Sequence, residues 1–313
     1  VPTDDATYAS AAAPDGTLDG TRGETPAARD PFAPLLLRAA DGATAACTPH
    51  GAHVAAWTPV VGGLPAGERL FLSAATALRA GAAIRGGVPV IFPQFADRGP
   101  LPKHGFARTR AWRIVHPPGR HDGSGAASAR FALEDDAETR ARWPHAFAAT
   151  LDVRVAAAWL EIGLAIRNTG AAPFAFTAAL HTYLRVADVA AARVAGLGGV
   201  RYGDTAAGGA ERTEGGDPLA IVGEVDRIYR DVPGAVVVRE ETPDGPRAVR
   251  VTQQGFRDVV LWNPGAAKGA ALADLEPDGW RRMLCVEAAV VGTPVTLAPD
   301  EAWTGVQRLE ALA

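Results

Sequence analysis

The chain has 313 residues, Lys+Arg 31 against Asp+Glu 35 for a formal charge of −4, and 48% hydrophobic residues. That balance excludes a disordered acidic chain and a globally basic nucleic-acid binder. Two cysteines, Cys47 and Cys285, cannot build a disulfide framework, and no apolar run approaches the ~18 residues of a membrane span. A cytoplasmic protein without nucleic-acid or membrane partners is therefore expected.

In chain order, residues 1–33 mix Pro2, Pro14, Pro26 and Pro31 with Asp, Thr, Gly and Ala and carry no periodic apolar stripe. They read as a disordered tail ahead of a single domain over 34–313. A short helix is predicted over 73–79. The stretch Ile84-Arg85-Gly86-Gly87-Val88-Pro89-Val90-Ile91-Phe92-Pro93-Gln94-Phe95 must bend, because a charge and two glycines lead into an apolar run broken twice by proline. A second helix is predicted over 135–143. Leu151, Val153 and Val155, then Leu160, Ile162, Leu164 and Ile166, alternate with other residues and predict an antiparallel pair turning near Ala157. Strands follow over 235–239, 248–253, 258–262, 283–288 and 303–309, each bounded by Gly, Pro, Asn or Asp. No strand–helix alternation or fixed-period repeat recurs, so the prediction is an all-β sandwich.

Phosphate-loop, HExxH, paired CxxC, GxSxG and dinucleotide-binding motifs are all missing. His50 and His53, three residues apart, fall on opposite faces of a strand with no obvious third ligand following, and read as structural or surface histidines. Three stretches carry more chemistry. Residues 98–113 hold Arg98, Lys103, Arg108, Arg110 and Arg113 with no acid, a composition suited either to an anion site or to a solvated basic loop. Lysine occurs only at Lys103 and Lys268, so Arg supplies nearly all the positive charge. In Leu180-His181-Thr182-Tyr183-Leu184-Arg185, strand geometry turns His181, Tyr183 and Arg185 to one face. In Met283-Leu284-Cys285-Val286-Glu287-Ala288 a carboxylate interrupts an apolar strand, and a carboxylate buried there needs a partner or a function.

Taken together, Arg85-Gly86-Gly87-Val88-Pro89, the run from Leu101 to Arg108 (LPKHGFAR), His181-Thr182-Tyr183-Leu184, Val260-Leu261-Trp262-Asn263-Pro264 and Cys285-Val286-Glu287 resemble the hexose-6-phosphate mutarotases. These form the glucose-6-phosphate 1-epimerase branch of the aldose 1-epimerase family, and the resemblance spans residues 34 to 312. It implies a galactose-mutarotase-like antiparallel β-supersandwich with sugar bound on its concave face and no metal or organic cofactor. It further implies a monomer whose partner is a small-molecule sugar phosphate. By motif position His181 matches the family's general acid and Glu287 its general base. Arg85, Lys103, Arg108 and Asp226 fall where members contact the sugar phosphate, with His104 beside the reacting sugar. Lys103 stands where some members have glutamine, and Gly265 follows Pro264 where an aromatic is common, which implies a more cationic phosphate pocket.

The implied reaction is interconversion of α and β anomers, most naturally of glucose 6-phosphate. Glu287 as carboxylate takes the O1 proton while His181 as imidazolium protonates the ring oxygen. Three alternatives stay open. An aldose 1-epimerase could act on free sugars. A non-catalytic carbohydrate-binding or sugar-sensing sandwich could stack sugars on Trp112, Trp143, Trp262 or Trp280, and a glycoside hydrolase could pair Asp226 with Glu287. An acid–base pair His181–Glu287 within about 6 to 7 Å favours the epimerase over the binding module.

Overall fold

The computed structural model describes residues 30–119, 123–243 and 245–313. The expected tail lies, for residues 1–29, outside them, while residues 31–313 form one compact unit. Strands dominate this unit, and its two α-helices among the described residues, Ala137–Arg142 and Gly265–Ala270, are short. No helix among them is long and apolar enough to cross a membrane.

The period-two reading of the central hairpin matches the structure. Strands Phe147–Ala156 and Trp159–Asn168 pair antiparallel, placing Leu151 opposite Leu164, Val153 opposite Ile162 and Val155 opposite Leu160. Ala157 makes the turn with φ 43. These strands sit inside a nine-stranded sheet, between Ala302–Leu312 on one side and Ala127–Glu134 on the other. Their alternate side chains enter the main hydrophobic core.

The predicted helix over 135–143 is present as Ala137–Arg142, started by a capping box in which Asp136 and Thr139 bond each other's backbone N–H. The helix predicted over 73–79 does not form. Its side chains bond distant groups instead: the Ser73 hydroxyl donates to Glu276 at 2.6 Å, and the Thr76 hydroxyl accepts the Arg85 N–H at 2.8 Å. Such bonds offer this segment an alternative to a helical ladder.

An eight-stranded antiparallel sheet carries the site. Its long strand Met283–Leu297 is flanked by Asp258–Asn263 on one side and by Phe174–Leu180 and Tyr183–Arg185 on the other. The residues from Met283 to Val291 are buried on both faces, which explains their nearly unbroken apolar sequence. Leu284, Val286, Ala288 and Val290 enter the main core, whereas Met283, Cys285, Ala289 and Val291 belong to separate clusters on the opposite face. Glu287 shares the register of that second face.

The two large sheets are joined beneath it by a buried amide. Thr182 donates through its hydroxyl to Gln307 Oε1, and Gln307 Nε2 donates to the Val286 carbonyl at 3.1 Å. One side chain from the nine-stranded sheet thus holds the neighbours of both His181 and Glu287.

Candidate active site

His181 occupies a gap in the ladder. Leu180 pairs with Ala288 and Tyr183 with Cys285, but between them the His181 N–H donates to the Pro89 carbonyl at 3.0 Å. As the alternation predicts, Leu180 and Leu184 enter the core while His181 and Tyr183 lie on the other side. Their rings stack, centroids 4.8 Å apart at 11°, and Trp262 meets His181 edge-on at 5.9 Å.

His181 Nδ1 lies 3.3 Å from Glu287 Oε1, well inside the separation an acid–base pair requires. Both side chains are buried, and His181 Nδ1 and Glu287 Oε2 have no hydrogen-bond partner among the described residues. Burial first, then the repulsion of Asp226, holds the Glu287 carboxyl well above its usual range. Burial, followed by His104, Arg108 and Arg85, holds the His181 imidazole well below its own. Both shifts favour the uncharged forms, a protonated carboxyl and a neutral imidazole, with burial the leading cause of each.

The pair opens into a cleft of about 380 Å³ that brings together Arg85, Lys103, His104, Arg108, His181, Asp226 and Glu287. Arg85 leads into a bend whose glycines are required sterically: a Cβ on Gly87, at φ +56, would lie 2.2 Å from the Val54 carbonyl oxygen. Gly87→Ala is expected to lower unfolding free energy by about 3 kcal/mol, measured by urea titration. The Arg85 guanidinium donates to Tyr183 Oη at 2.9 Å and to Asp274 at 3.1 Å, so it also braces the ring stacked on His181.

The basic segment divides. Arg110 pairs with Asp136 and Glu138, and Arg113 with Glu134, away from the cleft. Arg98, Lys103 and Arg108 line it. Lys103 is a rim cation, 61% exposed and 3.8 Å from Asp97. Arg108 donates to the Lys103 carbonyl, and its buried Nε has no partner among the described residues. The buried amide of Gln94 bonds Ala96 and Leu101 and folds the intervening rim loop into place.

His104 holds φ +68, and its Nδ1 accepts the Ala96 N–H at 3.2 Å. Burial, then the charges of Arg108 and Lys103, pushes its imidazole down to about 2. A neutral ring accepting at Nδ1 carries its proton at Nε2, making His104 a fixed donor.

Asp226 faces the cleft from Val225–Tyr229, with its carboxyl raised by burial. Beyond the predicted set, Lys268, Thr205 and Asp274 belong to the site. Asp274 is 189 residues from Arg85 in sequence and carried no local signal. Lys268 stood out only through the scarcity of lysine. The Asn263 of the Trp-Asn-Pro motif is structural: it donates to the Trp280 and Met283 carbonyls and accepts the Gly265 N–H, seating the helix that carries Lys268. Of the four tryptophans considered for sugar stacking, Trp262 lines the cleft, whereas Trp112 and Trp143 pack against the core. His50 and His53 are both buried away from the cleft.

A histidine–carboxylate pair on the face of an antiparallel supersandwich, ringed by cations, defines an enzyme of the galactose-mutarotase-like fold. The aldose 1-epimerase family model matches residues 35–310, and the chain belongs to that family. Two relatives provisionally named glucose-6-phosphate 1-epimerase are each 35% identical. The one from Cenchrus ciliaris aligns over 89% of this chain and 84% of its own, and the one from Escherichia coli K12 over 77% of each. The crystal structure of a provisionally named mutarotase from Salmonella typhimurium superposes with TM-score 0.75 at 29% identity, over 86% of this chain and 87% of that one.

Proposed function

We propose that the protein interconverts the α and β anomers of hexose 6-phosphates, glucose 6-phosphate foremost. One observation carries this reading: a histidine and a carboxylate 3.3 Å apart line the same cleft as the half-buried Arg108, whose buried Nε has no acceptor among the described residues. The family and the names of the relatives support it. The cleft, formed by one chain, suits a monomer, and a phosphorylated sugar as substrate suits the cytoplasm.

In this mechanism the phosphate binds Arg108, Arg85 and Lys103, and its negative charge offsets the cations that disfavour imidazolium. The pair's proton then moves from Glu287 to His181. Glu287, through the unpartnered Oε2, takes the proton from O1 while His181 gives one to O5, and the C1–O5 bond opens. Rotation about C1–C2 and the reverse transfers close the other anomer, returning both groups to their starting state. No covalent intermediate forms.

The decisive experiment is exchange NMR on glucose 6-phosphate and on free glucose, with and without protein. Faster anomer exchange of the phosphate ester is expected. Equal acceleration of both sugars assigns the protein to free-sugar epimerases, and acceleration of neither leaves a binding protein.

The pH profile is a second expectation. The active form carries one proton on the pair, so activity falls in acid as His181 takes a second proton, below its usual 6.5. It falls in alkali as Glu287 loses the last one, above its usual 4.5. The limbs belong to the pair. Anomer exchange measured from about pH 4 to about pH 10 should give a broad plateau bounded on both sides.

A further inference from the structure

Cys285 lies buried beside the acid–base pair and has no part in the chemistry proposed above. It is fully buried on the strand that carries Glu287, two residues away on the same face, with Tyr183 and Trp262 as its cross-strand partners. One ligand atom each from His181, Cys285 and Glu287 lie within 4.8 Å of one another. Two buried polar atoms of this trio, His181 Nδ1 and Glu287 Oε2, have no hydrogen-bond partner among the described residues.

We propose that the trio is an inhibitory site for a soft divalent cation, Zn²⁺ foremost, bound by the Cys285 thiolate, the His181 imidazole and the Glu287 carboxylate. Binding stands on the trio's geometry alone. Its effect on turnover rests on the reading of His181 and Glu287 as the acid–base pair.

The donor set and spacing fit such an ion. Zn–S bonds of about 2.3 Å and Zn–N or Zn–O bonds of about 2.0–2.2 Å place tetrahedral ligand atoms roughly 3.2–3.7 Å apart. The His181–Glu287 separation of 3.3 Å is already there. A limit of 4.8 Å leaves the sulfur to close about an ångström at most, within reach of a side-chain rotation. The fourth position faces the cleft, where water completes the shell.

Selectivity follows from the surroundings. Arg85 and Arg108 repel any cation, so an ion that gains little from thiolate, such as Mg²⁺ or Ca²⁺, has no net reason to enter. A thiophilic ion is compensated by the bond to sulfur. Coordination deprotonates the thiol outright, so binding releases protons to solvent. With Glu287 and His181 both occupied, no group remains to move protons on the sugar.

The test uses the full-length chain freed of metal with EDTA and then dialysed. Zn²⁺ is expected to bind at one equivalent by calorimetry, with an enthalpy that varies with the buffer's ionisation enthalpy as the thiol proton is released, and to stop anomer exchange. Co²⁺ is expected to show a thiolate charge-transfer band in the near ultraviolet, and Mg²⁺ and Ca²⁺ to leave activity unchanged. Cys285→Ala, or Cys285→Ser where the smaller side chain fails to fold, should keep anomer exchange in EDTA, lose the cobalt band and need at least about ten-fold more Zn²⁺ for half inhibition. Cys47→Ala should behave as wild type. No cobalt band, or inhibition equally sensitive in the Cys285 variants, overturns the proposal. The catalytic reading is checked separately by anomer exchange in EDTA, which depends on His181 and Glu287 whatever Zn²⁺ does.

Discussion

Glu287→Gln is expected to lower kcat for anomer exchange of glucose 6-phosphate by about 10²- to 10⁴-fold, and His181→Asn by a similar factor. Glutamine keeps the size of the side chain and loses the proton acceptor. Both variants should unfold at wild-type temperature or above it, because each removes a titratable group held in its disfavoured surroundings by burial. The double variant should be scarcely slower than either single one, since the two groups pass protons through the same substrate and act as a unit. Single-variant rates equal to wild type, with the fold intact by circular dichroism, would sink the assignment.

Arg108→Ala is expected to reduce kcat/KM for glucose 6-phosphate by roughly ten-fold to a hundred-fold, the worth of one charge-assisted hydrogen bond at about 1.5 to 3 kcal/mol. The same change should cause no loss on free glucose. Arg108 also stands among the charges that disfavour imidazolium at His181, so the phosphate acts on kcat as well as on KM: it cancels a field that otherwise keeps the acid neutral. For wild type, removing the phosphate from the substrate should therefore lower both parameters. Arg85→Ala should be more damaging than a lost phosphate contact alone, because it also releases the Tyr183 hydroxyl from its bond to Arg85. Lys103→Gln should be the mildest of the three, as Lys103 is the most exposed and is steadied by Asp97. Side-by-side exchange kinetics on both sugars separate these cases, and equal losses on glucose and glucose 6-phosphate would remove Arg108 from phosphate recognition.

Much of this arrangement was legible in the chain because strands expose it. A period of two places Leu151 against Leu164 and sends His181 and Tyr183 to the face opposite Leu180, and the structure keeps both patterns. Glu287 announced itself as a carboxylate in an apolar run. What stayed hidden depends on contacts between distant segments. The expected helix at 73–79 is lost to bonds with Glu276 and Arg85, partners no local pattern reveals. Asp274 reaches Arg85 from the loop after Gly265–Ala270, a contact between segments far apart in the chain. The basic run at 98–113 looked uniform, yet its later members belong to surface pairs with Asp136, Glu138 and Glu134. The direction in which each member of the pair is shifted was equally out of reach, since it follows from burial and from charges folded around it.

The Gln307 amide has a consequence for how such an enzyme can diversify. It fixes Thr182 and Val286, the chain neighbours of the two proton-transferring groups, from a strand of the opposite sheet. Four of the cleft's cations, Arg98, Lys103, Arg108 and Lys268, by contrast, ride on the segments 96–108 and 265–274. Chemistry and substrate choice are thus carried by separable parts of the polypeptide. Libraries that randomise those segments with His104 and Asp274 kept should yield proteins with altered sugar preference and intact proton transfer, whereas changes at Gln307 should degrade turnover of every sugar alike.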